Sequence, residues 1–249
     1  MLKPECLYHY YNMSLQEIQF ACKKKQLILG LIYDIKSDSL TVRLGSNIFA
    51  TLPKENYSMY PDDFNYVYKH EKKIVCYIED IENGNIILNR KKVMEDSFLE
   101  VKCMIGQKVT AKVLTLIDFG AFVDIGHGIK GFIPLRDLNK CRINTSFDVL
   151  SKNQVINVII ESFNDITGNF NVNYKACFNG STCDYSRNQI VEGKIRCPLF
   201  QDGQLTGYFV EITPNLNGIF DTSSIMTYGE KRRFLIRAIS KKGLKLELA

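Results

Sequence analysis

Three glycines, Gly126, Gly128 and Gly131, make a G-x-G-x-x-G inside the stretch DFGAFVDIGHGIKGFIP, residues 118–134. That spacing cradles a pyrophosphate when it joins a strand to a helix, because the helix N-terminus then faces the anion. Here a strand-like AFVDI precedes the glycines, but Phe132-Ile133-Pro134 follows, an extended apolar run ended by proline. Residues before proline avoid the helical region, so the glycines are expected to turn one strand into the next. The eight cysteines (6, 22, 76, 103, 141, 177, 183 and 197) contain no C-x-x-C pair and lie far from the three histidines. Zinc needs clustered ligands, so free thiols in a reducing compartment are expected instead. No nucleophile–base pairing, histidine cluster or phosphate loop emerges, and the chain reads as a non-enzyme with no catalytic residue, metal or cofactor.

The chemistry that remains is aromatic and basic. Side chains alternate across a strand. In Ala121–Ile125, Ala121, Val123 and Ile125 share the face expected to form a core, which sends Phe122 and Asp124 outward. In the preceding strand Val109, Ala111 and Val113 point inward and Lys112 outward. Phe119 precedes Gly120, where the chain can bulge and present the ring on the same side. Later, Phe170, Val172 and Tyr174 alternate with Asn171, Asn173 and Lys175, and the polar set is expected outside. His127 and Lys130 lie in the glycine turn and are expected to border the same groove. Rings stack on unpaired bases for roughly 1–3 kcal/mol each, and lysines neutralise phosphate. The pattern therefore fits a platform for single-stranded RNA. The alternative, that Phe122 is covered by a loop or a neighbouring domain, stays open at this point.

The elements that must hold this platform recur along the chain. GAFVDIGHGIKGFIP (120–134) aligns with GYFVEITPNLNGIFD (207–221) and, more faintly, with SLTVRLGSNIFATLP (39–53). An alternating strand precedes each copy: LILGLIYDI, KVTAKVLTL and IVEGKIRC. Two strands around a glycine turn follow each, at Gly84, Gly168 and Gly243. Five short strands rich in Val, Ile, Phe and Tyr, broken by Gly, Asn and Asp, can close into a small barrel without free edges. The expected fold is mainly β: three tandem five-stranded OB-fold barrels, over 1–92, 103–176 and 189–249. Linkers are expected near 93–105 and 177–189. One short N-terminal helix is signalled by the capping box Ser14-x-x-Glu17, with Lys23–Lys25 closing its last turn. The copies are unequal. The third keeps Phe209 and Glu211 outward but has Thr206 in place of the first ring. The first has Asp38 and Thr41 at the two ring positions. The middle unit is therefore expected to bind best, the third to assist, and the first to serve as a structural or protein-docking module.

Bulk properties agree. The 249 residues carry a net charge of +5, with the first hundred near neutral and the positive excess in the remainder. This permits a nucleic-acid partner. No apolar run approaches the 18 or more residues of a membrane span, and no secretory signal is evident, so a cytoplasmic protein is expected.

These residues resemble the ribosomal protein S-one domain family, an RNA-binding OB-fold module. Asp118-Phe-Gly-Ala-Phe-Val123 matches its signature, as does Gly131-Phe-Ile-Pro134, with proline where many members carry histidine. Val172-Asn-Tyr-Lys175 matches the closing L-S-x-K loosely, with Asn173 where serine is usual. The chain is similar to a short, three-repeat bacterial relative of that small-subunit protein. The resemblance implies binding of single-stranded RNA, mRNA included, in translation at the small ribosomal subunit. It implies contacts from Phe119, Phe122, Lys175 and, in the third unit, Phe209. The same module in RNA-degrading machines leaves a regulatory subunit or docking adaptor as the alternative.

Overall fold

The computed structural model describes residues 2–60, 64, 73–82, 84–240 and 243–249; turn residues 83 and 241–242 of two expected hairpins lie outside them. The described residues contain three closed five-stranded barrels. The first is built from β1 (Ile28–Ile35), β2 (Ser39–Arg43), β3 (Phe49–Pro53), β4 (Lys73–Glu82) and β5 (Asn85–Asn89). The second uses β6 (Lys108–Ile117), β7 (Gly120–Asp124), β8 (Lys130–Pro134), β9 (Val155–Asn164) and β10 (Asn169–Asn173). The third uses β11 (Ile190–Gln201), β12 (Gln204–Thr213), β13 (Leu216–Asp221), β14 (Lys231–Ser240) and β15 (Gly243–Leu248). Each has the same circular order: first, second, third, fifth, fourth strand. The third and fifth strands pair in parallel, as in Thr51 with Ile87, Gly131 with Phe170 and Gly218 with Leu244. The five-stranded OB architecture expected from the repeats is therefore present three times.

The alternation of apolar residues explains the interiors. Val109, Ala111, Val113, Ala121, Val123, Ile133, Phe170 and Val172 are buried in the second barrel's strands. Equivalent rows bury Leu40, Val42 and Leu52 in the first and Val210, Phe234 and Leu246 in the third. Helix α1 (Leu15–Lys24) opens with the Ser14–Glu17 capping box and ends at Lys25 in the left-handed region. It buries Ile18 and Ala21, three residues or about one turn apart, where they meet the first barrel's core.

Residues 93–105, expected as a linker, instead belong mostly to helix α2 (Lys91–Cys103), which buries Val93, Met94, Ser97 and Val101. This is a helical stripe with a serine in its centre. The serine weakens the apolar signal and has a specific partner, described next.

The residues form two compact units, 1–104 with 124–129 and 105–123 with 130–249. In the first unit, the Glu5 carboxylate accepts from Arg90 Nε (3.0 Å) and Nη2 (3.3 Å) and from the Val75 amide (3.1 Å). Arg90 Nη1 also donates to the Tyr57 carbonyl, and the guanidinium lies 4.9 Å from the Tyr57 ring centroid. The turn 124–129 packs into this network. Asp124, expected to face solvent, is buried and accepts from the amides of Gly126 (2.8 Å) and Gly128 (3.0 Å). Gly126 and Gly128 have φ of +136° and +81°, and a Cβ there would meet the side chains of Leu2 and Arg90. The glycines thus serve a turn and a close approach, and strand β8 follows with no helix.

His127 is a second correction. It was expected at the border of an open groove, but it is only 4% exposed. Its Nε2 is 2.6 Å from the Tyr8 hydroxyl and its Nδ1 2.7 Å from Ser97 Oγ. Burial pushes its pKa down to about 4, with the Arg90 cation acting in the same direction and the Glu100 carboxylate opposing. A neutral imidazole offers one donor and one acceptor, which two hydroxyls satisfy in either tautomer.

In the second unit, Arg196 is buried against Glu211 (2.6 Å) and donates to the Tyr228 hydroxyl, which itself donates to Asp148 (2.7 Å). The Lys140 amide donates to the Pro214 carbonyl, and Asn215 Nδ2 to that of Phe178. These bonds tie the 135–150 and 174–178 segments to the third barrel. No helix among the described residues is long and apolar enough to cross a membrane.

Glu5→Gln strands the buried Arg90 cation and is expected to cost about 3 kcal/mol or more, read as a fall in the denaturant midpoint. Replacing both partners together, with Glu5→Leu and Arg90→Met, is expected to cost less than Glu5→Gln alone. Because the folded pKa of His127 lies below the ordinary value of 6.5, the stability tied to its neutral form is complete above pH 6.5. It is lost as pH falls towards 4, by about 3 kcal/mol in all. The thermal midpoint of His127→Gln is therefore expected to fall less steeply with pH over that window than the wild type's.

Candidate nucleic-acid interface

The second barrel presents a row of outward side chains across adjacent strands. Lys112 stands on β6, Phe122 on β7, Phe132 and Lys130 on β8, and Asn171 on β10, where it pairs with Phe132. Each is half-buried between fully buried neighbours, as strand alternation requires. Phe119, in the β6–β7 turn, is 67% exposed. The three rings form a chain. Phe122 and Phe132 have centroids 5.0 Å apart, and Phe132 and Phe119 lie 6.2 Å apart. Phe132 is thus the hub of the cluster.

Gly120 makes this possible. A Cβ on it would stand 2.6 Å from Phe132 Cζ and would also press on the Ile133 carbonyl oxygen. The Phe132 ring lies over the bare backbone of Gly120, between the residues that bring in Phe119 and Phe122. The turn is pinned on both sides, since the Phe119 carbonyl accepts from the Leu135 amide (2.9 Å) and the Ile117 carbonyl from Ser146 Oγ (2.7 Å). A fixed turn holds the exposed Phe119 ring without its backbone having to be ordered by a ligand.

Phe132 lies beyond the rings expected from the sequence. Its signal was present: it alternates with buried Gly131 and Ile133 and sits in the matched Gly-Phe-Ile-Pro segment.

Asn173 departs from the expectation that it faces outward. It is buried; its Nδ2 donates to Glu161 (2.7 Å) and Asp137 (3.4 Å), and its Oδ1 accepts from the Ala176 amide (2.9 Å). It closes the barrel's last strand onto the helical turn Lys175–Cys177. The bulge lies on β9, where the pairing skips Glu161, and that residue together with Asp137 covers Asn173. Lys175 is partly exposed, but its ammonium donates to the Arg136 carbonyl and lies 3.3 Å from the Asp137 carboxylate. That pairing offsets the charge it can offer a phosphate.

The third barrel repeats the row in reduced form. Phe209 is half-buried on β12, with Ile219 on β13 in the place of Phe132 and Lys194 on β11 in the place of Lys112. Phe209, Asn217, Ile219, Ser240 and Lys245 border an open recess of about 310 Å³. Lys245 is paired with Asp221. Thr206 carries no ring, and its hydroxyl donates to the Leu199 carbonyl. In the first barrel the places of Phe122 and Phe132 are taken by Thr41 and Thr51, which face each other across β2 and β3. Among the described residues no three His, Cys, Asp or Glu side chains gather in a metal-binding arrangement.

The dependence of the ring cluster on Gly120 is testable. Gly120→Ala is expected to displace the Phe132 ring and lower the thermal midpoint, whereas alanine at the exposed Phe119 leaves the midpoint near that of the wild type.

Residues 102–175 match the family model described as the S1 RNA binding domain. Over longer stretches the chain is similar to small ribosomal subunit protein bS1 of several bacteria. It is 23% identical to that of Rickettsia typhi over 94% of this chain and 44% of that protein. It is 32% identical to that of Leuconostoc lactis over 59% and 35%, respectively. It is 26% identical to that of Staphylococcus haemolyticus over 88% and 58%. The chain thus spans less than two thirds of each of these relatives. The second barrel matches the S1 RNA binding domain model, within a chain that is similar to the ribosomal protein bS1.

Proposed function

We propose that the chain binds single-stranded RNA, mRNA included, through the outward face of the second barrel, and that it acts without catalysis in translation at the small ribosomal subunit in the cytoplasm. The observation that carries this reading is the chain of rings Phe119, Phe132 and Phe122 seated on Gly120 and flanked by Lys112 and Lys130. Three neighbouring π-faces with adjacent cations suit unstacked bases on a phosphate backbone, and a duplex offers no such bases. The match to the S1 RNA binding domain covers this barrel, and the relatives' ribosomal identity supports the setting. Phe209 and Lys194 of the third barrel form a weaker auxiliary contact, because Ile219 replaces the central ring. Lys175 contributes less than Lys112, since Asp137 already neutralises part of its charge. Asn173 and His127, both buried and bonded within the protein, are left out of the contact set.

Binding of a short unstructured RNA to the full chain tests this. Phe122→Ala and Phe132→Ala are each expected to weaken it by about fivefold to a hundredfold. Lys112→Gln is expected to lower affinity and make its salt dependence shallower. Duplex RNA is expected to bind more weakly than the single strand. Wild-type affinity in both ring variants would refute the platform.

A further inference from the structure

The first barrel has lost the rings at the places of Phe122 and Phe132, yet its outward face is not devoid of aromatics. Tyr33 is 67% exposed and Phe49 41% exposed, and their ring centroids are 4.9 Å apart at an interplanar angle of 58°. Single exposed rings are ordinary, but two in mutual contact on one strand face are a small built patch. Their placement has identifiable causes. The β1–β2 register shifts between Ile32 and Asp34, and this bulge turns Tyr33 outward. Phe49 opens β3 and pairs across the sheet with Arg43 of β2. Arg43 also pairs with Leu31 of β1, so its cationic side chain rises from the strand between those that carry the two rings. The guanidinium lies 5.9 Å from the Tyr10 ring centroid, which adds a third aromatic group at the edge of the patch.

Apart from the half-buried Leu31 opposite Arg43, the surroundings are polar. Thr41 and Thr51 lie in the same outward row, and Asp34 and Asp38 mark the hairpin end of β1 and β2. A protein-docking face would be expected to continue the apolar surface past the two rings. Two rings with one guanidinium and threonine hydroxyls instead match the chemistry of a base and its phosphate. The acidic hairpin end would repel the backbone, which places the phosphate on the Arg43 side.

We propose that the first barrel carries a second contact for single-stranded nucleic acid, built on Tyr33, Phe49 and Arg43. It lies on the same three-strand face as the second barrel's rings but is shifted along the strands. Phe49 stands where the second barrel has Lys130, and Arg43 where it has Asp124. The proposal rests on the reading that the chain binds single-stranded RNA, and it adds a site to that reading.

The test uses the full chain and an oligouridylate carrying 4-thiouridine, with photocrosslinked peptides mapped by mass spectrometry. Crosslinks at Tyr33 or Phe49 are expected in the wild type and are expected to persist in Phe122→Ala. The double variant Tyr33→Ala, Phe49→Ala is expected to lose them and to bind about fivefold more weakly or worse, with its thermal midpoint unchanged. Arg43→Gln is expected to bind more weakly, with a shallower salt dependence. If the wild type binds RNA, crosslinks map only to the other two barrels and the double variant binds as tightly, this site is wrong while the main reading stands. If the wild type does not bind the oligonucleotide at all, both fall. If the double variant keeps its RNA affinity but loses co-sedimentation with small ribosomal subunits, the face docks protein and the inference is overturned.

Discussion

Closure of a five-stranded sheet on itself is the constraint from which the rest follows. A closed barrel of this size has room inside only for apolar side chains from alternate positions, so the other half of each strand must face outward. In the second barrel Ala121 and Val123 fill the interior, which leaves Phe122 no place but the surface row. The same rule applies in the first and third barrels, where Thr41 and Phe209 occupy the equivalent place. The three interiors are variations on one pattern. What distinguishes the barrels chemically is the outward row, which closure leaves free to vary.

Within that row, backbone shape matters as much as ring count. Phe132 gathers its neighbours because Gly120 has no side chain to hold it off. Gly126 and Gly128 do a related thing for a different end: they let Leu2 and Arg90 approach the turn that follows β7. One short segment therefore uses glycine once to seat a ring and twice to admit a neighbouring segment. Gly126 and Gly128, together with Gly131, thereby imitate a dinucleotide fingerprint in spacing but lack the helix that gives the fingerprint its chemistry.

Polar burial in the first unit follows from the same turn. Asp124, His127, Ser97, Arg90 and Glu5 are buried polar residues that would be costly alone, and each has a partner within hydrogen-bond distance. His127 stays neutral because burial opposes its charge. On the outward faces, charge is partly neutralised in place. Asp137 holds Lys175 and Asp221 holds Lys245, so the count of lysines overstates the cationic field that a phosphate would meet.

The chain alone makes the barrels legible, because period-two alternation and turn residues are local properties repeated three times along it. It likewise determined α1, whose capping box is written in four consecutive residues, and the outward direction of Phe122 and Lys112. Which outward positions stay open depends instead on contacts between distant segments. Asn173 is covered and Lys175 paired through Asp137, which is remote in sequence and reaches them only when the barrel closes. His127 and Asp124 are buried by residues 2–8 and 90–97, which no local pattern links to a turn at 124–129. Helix α2 was hidden for the same reason: the serine in its buried stripe is polar because a histidine thirty residues away needs a hydrogen-bond partner. Periodicity records which face of an element is apolar. It carries no record of which distant segment covers that face, since that depends on contacts made only after the chain has closed on itself.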